Sequence, residues 1–183
     1  MTITVTPEVF NYVWFDAEVI RSIATGLVDA LGMNDYDVII DVDETTPLSG
    51  ISCEIGETIH IRACSGAFED TRKPRQQSET ATATSIGRVL LRARDRLVGG
   101  FGEAPADNDL SLAHVAAWET YSLGRLDRLG VPTNQQRWRY NFRNRLGFTD
   151  ATDAAFEKIW GSDGLTWGEL CAISETAIPS AAK

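Results

Sequence analysis

The sequence predicts an α+β protein: an N-terminal helix and an Arg-rich helix on one face of a small, mostly antiparallel sheet, then a C-terminal helical bundle. Three observations carry that prediction. Apolar residues recur at three- and four-residue steps from Phe10 to Leu31 and again from Ile86 to Leu97, as in a helix with one buried face. Between these stretches, residues 36–43 and 51–63 alternate apolar and polar side chains, as in a half-buried strand. Beyond Leu110 only helical periodicity remains, cut by glycines and cap residues. Residues 1–100 are thus expected to form the α+β domain. Residues 110–183 would form the bundle, packed on the first part or standing as a small second lobe.

The first helix is expected from Thr6 as N-cap, with Pro7 at its first position and Gly32 at its end. Its stripe is Phe10, Val13, Ala17, Ile20, Ala24, Leu27 and Leu31. A strand follows at 36–43, then a hairpin at 51–63. A two-residue turn at Gly56-Glu57 would put the apolar rows of the hairpin on opposite faces. A three-residue Gly56-Glu57-Thr58 loop pairs Ile55 with Ile59 and Cys53 with Ile61, so the longer loop is expected. Asp41, Asp43, Glu54, His60 and Arg62 then share one polar sheet face. Residues 65–79 read as a polar, basic loop around Lys73-Pro74-Arg75.

The Arg-rich helix runs from about 80 to Val98 and stops at Gly99-Gly100. Helices at 110–129 and 134–146 each end in Arg-Leu-Gly. Thr149 or Asp150 caps a short helix to Trp160. The last helix carries a Thr166-x-x-Glu169 capping box and a Leu165–Leu170 staple.

Composition narrows the function classes. With 43% hydrophobic residues and five tryptophans the chain can bury a core, yet no run approaches the roughly 18 apolar residues of a membrane span. The first residues have no basic region of a signal peptide, and three cysteines at 53, 64 and 171 make no disulfide framework. A cytoplasmic location is expected, with no membrane partner. The net charge of −9 disfavours nucleic acid. Its distribution is uneven. Residues 1–61 hold eleven acids against Arg21 alone, whereas basic side chains gather at 62–96 and at 125–145.

Candidate chemistry centres on Val38-Ile-Ile-Asp41-Val-Asp43-Glu-Thr45. An apolar strand ending in Asp-x-Asp-x-Thr resembles the nucleophile motif of the haloacid dehalogenase-type phosphotransferases. That resemblance implies a phosphoryl-transfer hydrolase in which Asp41 attacks phosphorus and Asp43 acts as acid/base. The chain departs from that pattern after Ala63, where no further apolar strand can carry the remaining site residues. A divalent-cation site is the milder alternative. The two carboxylates lie about 6.6 Å apart along one face, and such oxygen donors would suit Mg²⁺ or Ca²⁺. Otherwise no cofactor is expected. The order helix, strand, hairpin, helix resembles the minimal zincin metallopeptidase arrangement, but residues 85–96 lack His-Glu-x-x-His, which implies an inactive relative.

His60 and Cys64, four apart on a strand, stand about 13 Å apart, too far for proton transfer. Arg137, Arg139, Arg143 and Arg145 interleave with aromatics as nucleic-acid binders do, although Trp138, Phe142 and Leu146 form one helical stripe of the kind that packs a core. The expectation that covers most of the chain is a non-enzymatic interaction or structural protein. Its partner would be another protein or a second copy, self-associating through the segregated acidic and basic surfaces.

Overall fold

The computed structural model describes residues 1–177. The last residues of the expected bundle, 178–183, lie outside the described residues. The chain divides into two compact units, Met1–Arg94 and Asp95–Lys183, so the division falls inside a helix and not in the loop that follows it.

The first unit holds strands β1 (Ile3–Thr6), β2 (Asp37–Asp43), β3 (Ile51–Ile55) and β4 (Thr58–Cys64), with helix α1 (Ala17–Leu31) between β1 and β2. A two-stranded hairpin, β5 (Glu69–Asp70) and β6 (Lys73–Gln77), precedes α2 (Glu79–Val98). The sheet order is β1-β2-β4-β3. The α+β class stands, but the sheet is mixed. β1 and β4 both run parallel to β2, and only β3–β4 is antiparallel within it. The hairpin closes in the expected register, Ile55 opposite Ile59 and Cys53 opposite Ile61. Ile3, Val5, Val38, Ile40, Ile59 and Ile61 are buried on one sheet face. A one-residue slip would turn this whole set toward water, which is why the register is strongly specified.

Two expectations for this unit need correction. The first helix begins at Ala17 with Asp16 as its cap, not at Thr6, and the Asp16 carboxylate accepts the Glu18 N–H at 2.8 Å. Ile3 and Val5 alternate with threonines, and parallel pairing with Val38 and Ile40 buries both, so residues 3–6 become a strand. Residues 65–79 are not one loop, because Glu69 pairs with Gln77 to make the small hairpin. α1 ends as expected at Gly32, whose φ of 64° suits a residue without Cβ. The Arg21 Nε donates to the Ile3 carbonyl, and the Arg94 Nε donates to the Leu31 carbonyl at 2.9 Å, tying α1 to β1 and to α2.

The second unit holds the last turn of α2 and helices α3 (Leu112–Arg128), α4 (Gln135–Leu146), α5 (Asp150–Gly161) and α6 (Trp167–Ala177). Ser111, Asn134 and Thr149 cap α3, α4 and α5. The Glu169 carboxylate accepts the Thr166 N–H at 2.8 Å, one half of the expected capping box. At the centre of this unit lies an ion pair. The Arg125 guanidinium donates twice to the Asp95 carboxylate, both at 2.6 Å, with side chains 7% and 2% exposed. The Trp118 Nε1–H adds a third bond to Asp95 at 2.8 Å, and Arg125 lies 3.7 Å over the Tyr121 ring. Phe101 packs against Trp118 and Tyr121, the two aromatics that touch the pair, and against Trp167.

Removing either charge leaves the other buried and unpaired, which costs about 3–5 kcal/mol. Asp95→Asn and Arg125→Met should each lower the unfolding free energy by that much in chemical denaturation. The double variant Asp95→Leu with Arg125→Met, which leaves no unpaired charge, should recover part of the loss. Gly124 lets α3 meet α5, since an added Cβ would collide with the Trp160 carbonyl oxygen. Gly124→Ala should therefore cost on the order of 3 kcal/mol by forcing the helices apart, measured in the same way.

Candidate functional site

The polar face of the sheet brings together the five residues expected there, and the geometry pairs them. His60 Nε2 and Asp41 Oδ2 are 2.5 Å apart, and the Arg62 guanidinium donates to Glu54 at 2.5 Å. Asp43 sits at the carboxyl end of β2 and turns to the next residues instead. Its Oδ1 accepts the Thr45 hydroxyl at 2.6 Å and the Thr45 N–H at 2.9 Å, and its Oδ2 accepts the Thr46 hydroxyl at 2.6 Å. These bonds, led by the Thr45 hydroxyl, hold the Asp43 carboxyl below its ordinary pKa of 3.8. Asp41, Asp43, Arg62 and Cys64 line a shallow depression of about 440 Å³ beside Gly50–Ser52. Among the described residues no group of three or more His, Cys, Asp or Glu side chains could hold a metal ion.

The four arginines of α4 divide. Arg143 makes a two-point ion pair with Asp153 of α5, which raises its own pKa and lowers that of the aspartate. Arg139 pairs with Glu157 and lies over Phe156. Arg137 and Arg145 are exposed, and Arg145 borders a groove of about 290 Å³ between α3 and α4 with Trp138 and Asn141. Phe142 and Leu146 are buried, as their helical spacing predicted.

The two edges of the sheet differ in chemistry. Because β1, β2 and β4 run parallel, their carboxyl ends share one edge and their amino ends the other. Residues 7–16 leave β1 at the carboxyl edge. Val13 is buried, Phe10 packs edge-on against Phe15 at 5.5 Å, and Phe15 packs on Phe68. The backbone is pinned as well. The Glu44 carboxylate accepts the Asn11 and Tyr12 N–H groups at 2.7 and 2.6 Å, and the Trp14 N–H donates to the Arg75 carbonyl at 2.8 Å. Outward from this anchored loop stand Val9, Tyr12 and Trp14, 73%, 64% and 77% exposed. Beside them the β5–β6 hairpin exposes Arg72, Lys73 and Arg75. Arg75 is the only non-glycine with positive φ among the described residues, at 63°, a conformation that costs on the order of 1–3 kcal/mol.

Several acids at this edge accept from nearby donors: Glu69 from Ser65 and from the Arg75 N–H, Asp70 from the Arg72 N–H, and Asp16 as the cap of α1. Glu8, Asp16 and Asp43 are exposed there. The amino edge carries further acids and, among the described residues, no exposed Lys or Arg. There α1 ends and β2 begins, and Asp29, Asp35, Asp37 and Glu57 are exposed around half-buried Tyr36 and Ile55.

The exposed aromatics of residues 9–14 were hidden in the sequence by the overlap of a helical period with the loop. Asp16 ahead of Ala17 and Glu18 was the signal that the helix starts later. No helix among the described residues is long and apolar enough to cross a membrane. Comparisons with protein families, with curated proteins and with solved structures find no match.

The acidic pair can be tested for a cation and for its threonine cap. With Asp41 held by His60 and Asp43 by two threonines, thermal melts in Mg²⁺, Ca²⁺ and EDTA should superimpose. A cation at a hundred times its dissociation constant would instead add about 2.7 kcal/mol. The Asp43 cap stabilises the fold above the ordinary carboxylate range and is lost as pH falls through the lowered folded-state pKa. Thr45→Val should move the Asp43 midpoint upward in a carboxyl-carbon NMR titration.

Proposed function

We propose that the protein works by association and not by catalysis, and that it associates with further copies of itself through oppositely charged surfaces. The observation that carries this is the asymmetry of the first unit. Exposed cations and aromatic side chains gather at the carboxyl edge of its sheet, with exposed Glu8, Asp16 and Asp43 among them, whereas the exposed charged side chains of the amino edge, Asp29, Asp35, Asp37 and Glu57, are all carboxylates.

Charge-driven association between exposed surfaces weakens with ionic strength, because the Debye length falls from about 10 Å at 0.1 M to about 3 Å at 1 M salt. Sedimentation velocity across a wide protein concentration range should show mass rising with concentration in low salt and falling back toward the single chain in high salt. A single chain at every concentration in low salt would count against self-association.

A further inference from the structure

Resting on the self-association proposed above, we infer that the contact is head to tail. The loop carrying Tyr12 and Trp14, with Lys73 and Arg75 beside it, docks on the acidic amino edge of the sheet of a second copy, around Tyr36. Three features single out the loop. Its outward aromatics are not loose, since Phe10, Val13 and Phe15 anchor it from below and Glu44 and Arg75 hold its backbone. A surface fixed before contact loses little conformational freedom on binding. The strained backbone at Arg75 lies where its carbonyl receives the Trp14 N–H, so the fold pays locally to hold this geometry. Finally, tryptophan, tyrosine and arginine are the residue types that dominate the energy of protein contacts.

The occupant follows from charge. Arg72, Lys73 and Arg75 enter no ion pair among the described residues and call for an acidic partner surface. The amino edge of the same sheet supplies one, with Asp35 beside a half-buried Tyr36 and Glu57 on the neighbouring turn, while Asp37 there is already paired with the Met1 ammonium and the Thr2 N–H. The two surfaces lie at opposite ends of the same parallel strands. Each copy thus uses one surface and leaves the other open. A contact of this heterologous kind extends into a chain of copies unless its rotation closes a ring.

The test uses the full chain in two damaged forms. One carries Tyr12→Ala and Trp14→Ala. The other carries Asp35→Lys and Glu57→Lys. All four side chains are exposed, so both forms should melt as the wild type does. Lys73→Glu serves as a second loop variant that leaves the aromatics in place. In low salt, each form alone should associate at least about ten-fold more weakly than the wild type by sedimentation velocity. Mixed together, the two forms should give a one-to-one pair and nothing larger, since only one intact loop and one intact acidic edge remain. Wild-type assembly that survives the loss of Tyr12 and Trp14 would overturn this contact while leaving self-association standing. So would damaged forms that fail to pair on mixing. A wild type that stays a single chain throughout would overturn both.

Discussion

The parallel direction of β1, β2 and β4 is the constraint on which the first unit depends. Parallel neighbours cannot be joined by a tight turn, so each return must cross the unit from one sheet edge to the other. Between β1 and β2 that crossing is residues 7–16 followed by α1, and between β2 and β4 it includes β3. The result is a sheet with two chemically distinct edges. The anchored aromatic loop and the basic hairpin lie at the carboxyl edge. The amino edge receives the end of α1, Arg94 of α2 bonded to it, the N-terminus paired with Asp37, and the β3–β4 turn.

The second unit depends on a different interaction. Asp95 and Arg125 are thirty residues apart and almost wholly buried, and each satisfies the other at two points. Desolvating two charges is costly, so such a pair persists only when its remaining bonding groups are also met. Trp118 takes one lone pair of Asp95, and the Tyr121 carbonyl accepts the Arg125 Nε–H. Tyr121 is itself held, since its hydroxyl accepts the Leu165 N–H, and burial pushes its pKa up. The turn after α2 is drawn in as well, because the Gly99 and Phe101 N–H groups both donate to the Asp95 carbonyl. One buried pair thus sets the exit of α2, the rotation of α3 and the seat of the segment before α6.

Much of this architecture was legible from residue order. The helix caps at Thr149 and Thr166, the glycine stop at Gly32 and the register of the 51–63 hairpin all depend on neighbours within a few residues. The polar face was legible for the same reason, since strict alternation along β2 and β4 places Asp41, His60 and Arg62 together once those strands are neighbours. The start of α1 was not, because Phe10 and Val13 fit the helical period of the residues that follow. They serve instead as anchors of a loop. The β5–β6 hairpin was missed because its strands are polar and pair over a turn with no apolar alternation to announce it.

The sequence by itself determined many local elements: most helix limits, the hairpin register and the face on which each residue of β2, β3 and β4 lies. Period and capping chemistry act over one turn of helix or one pleat of strand, so they can be read without knowing the neighbours. Only the tertiary structure decided that Ile3–Thr6 joins the sheet parallel to β2, that Asp95 meets Arg125, and that Trp14 faces outward beside Arg75. Each of these joins segments tens of residues apart. Such pairings are chosen by the burial and bonding of the whole unit, for which a short window of sequence holds no signal.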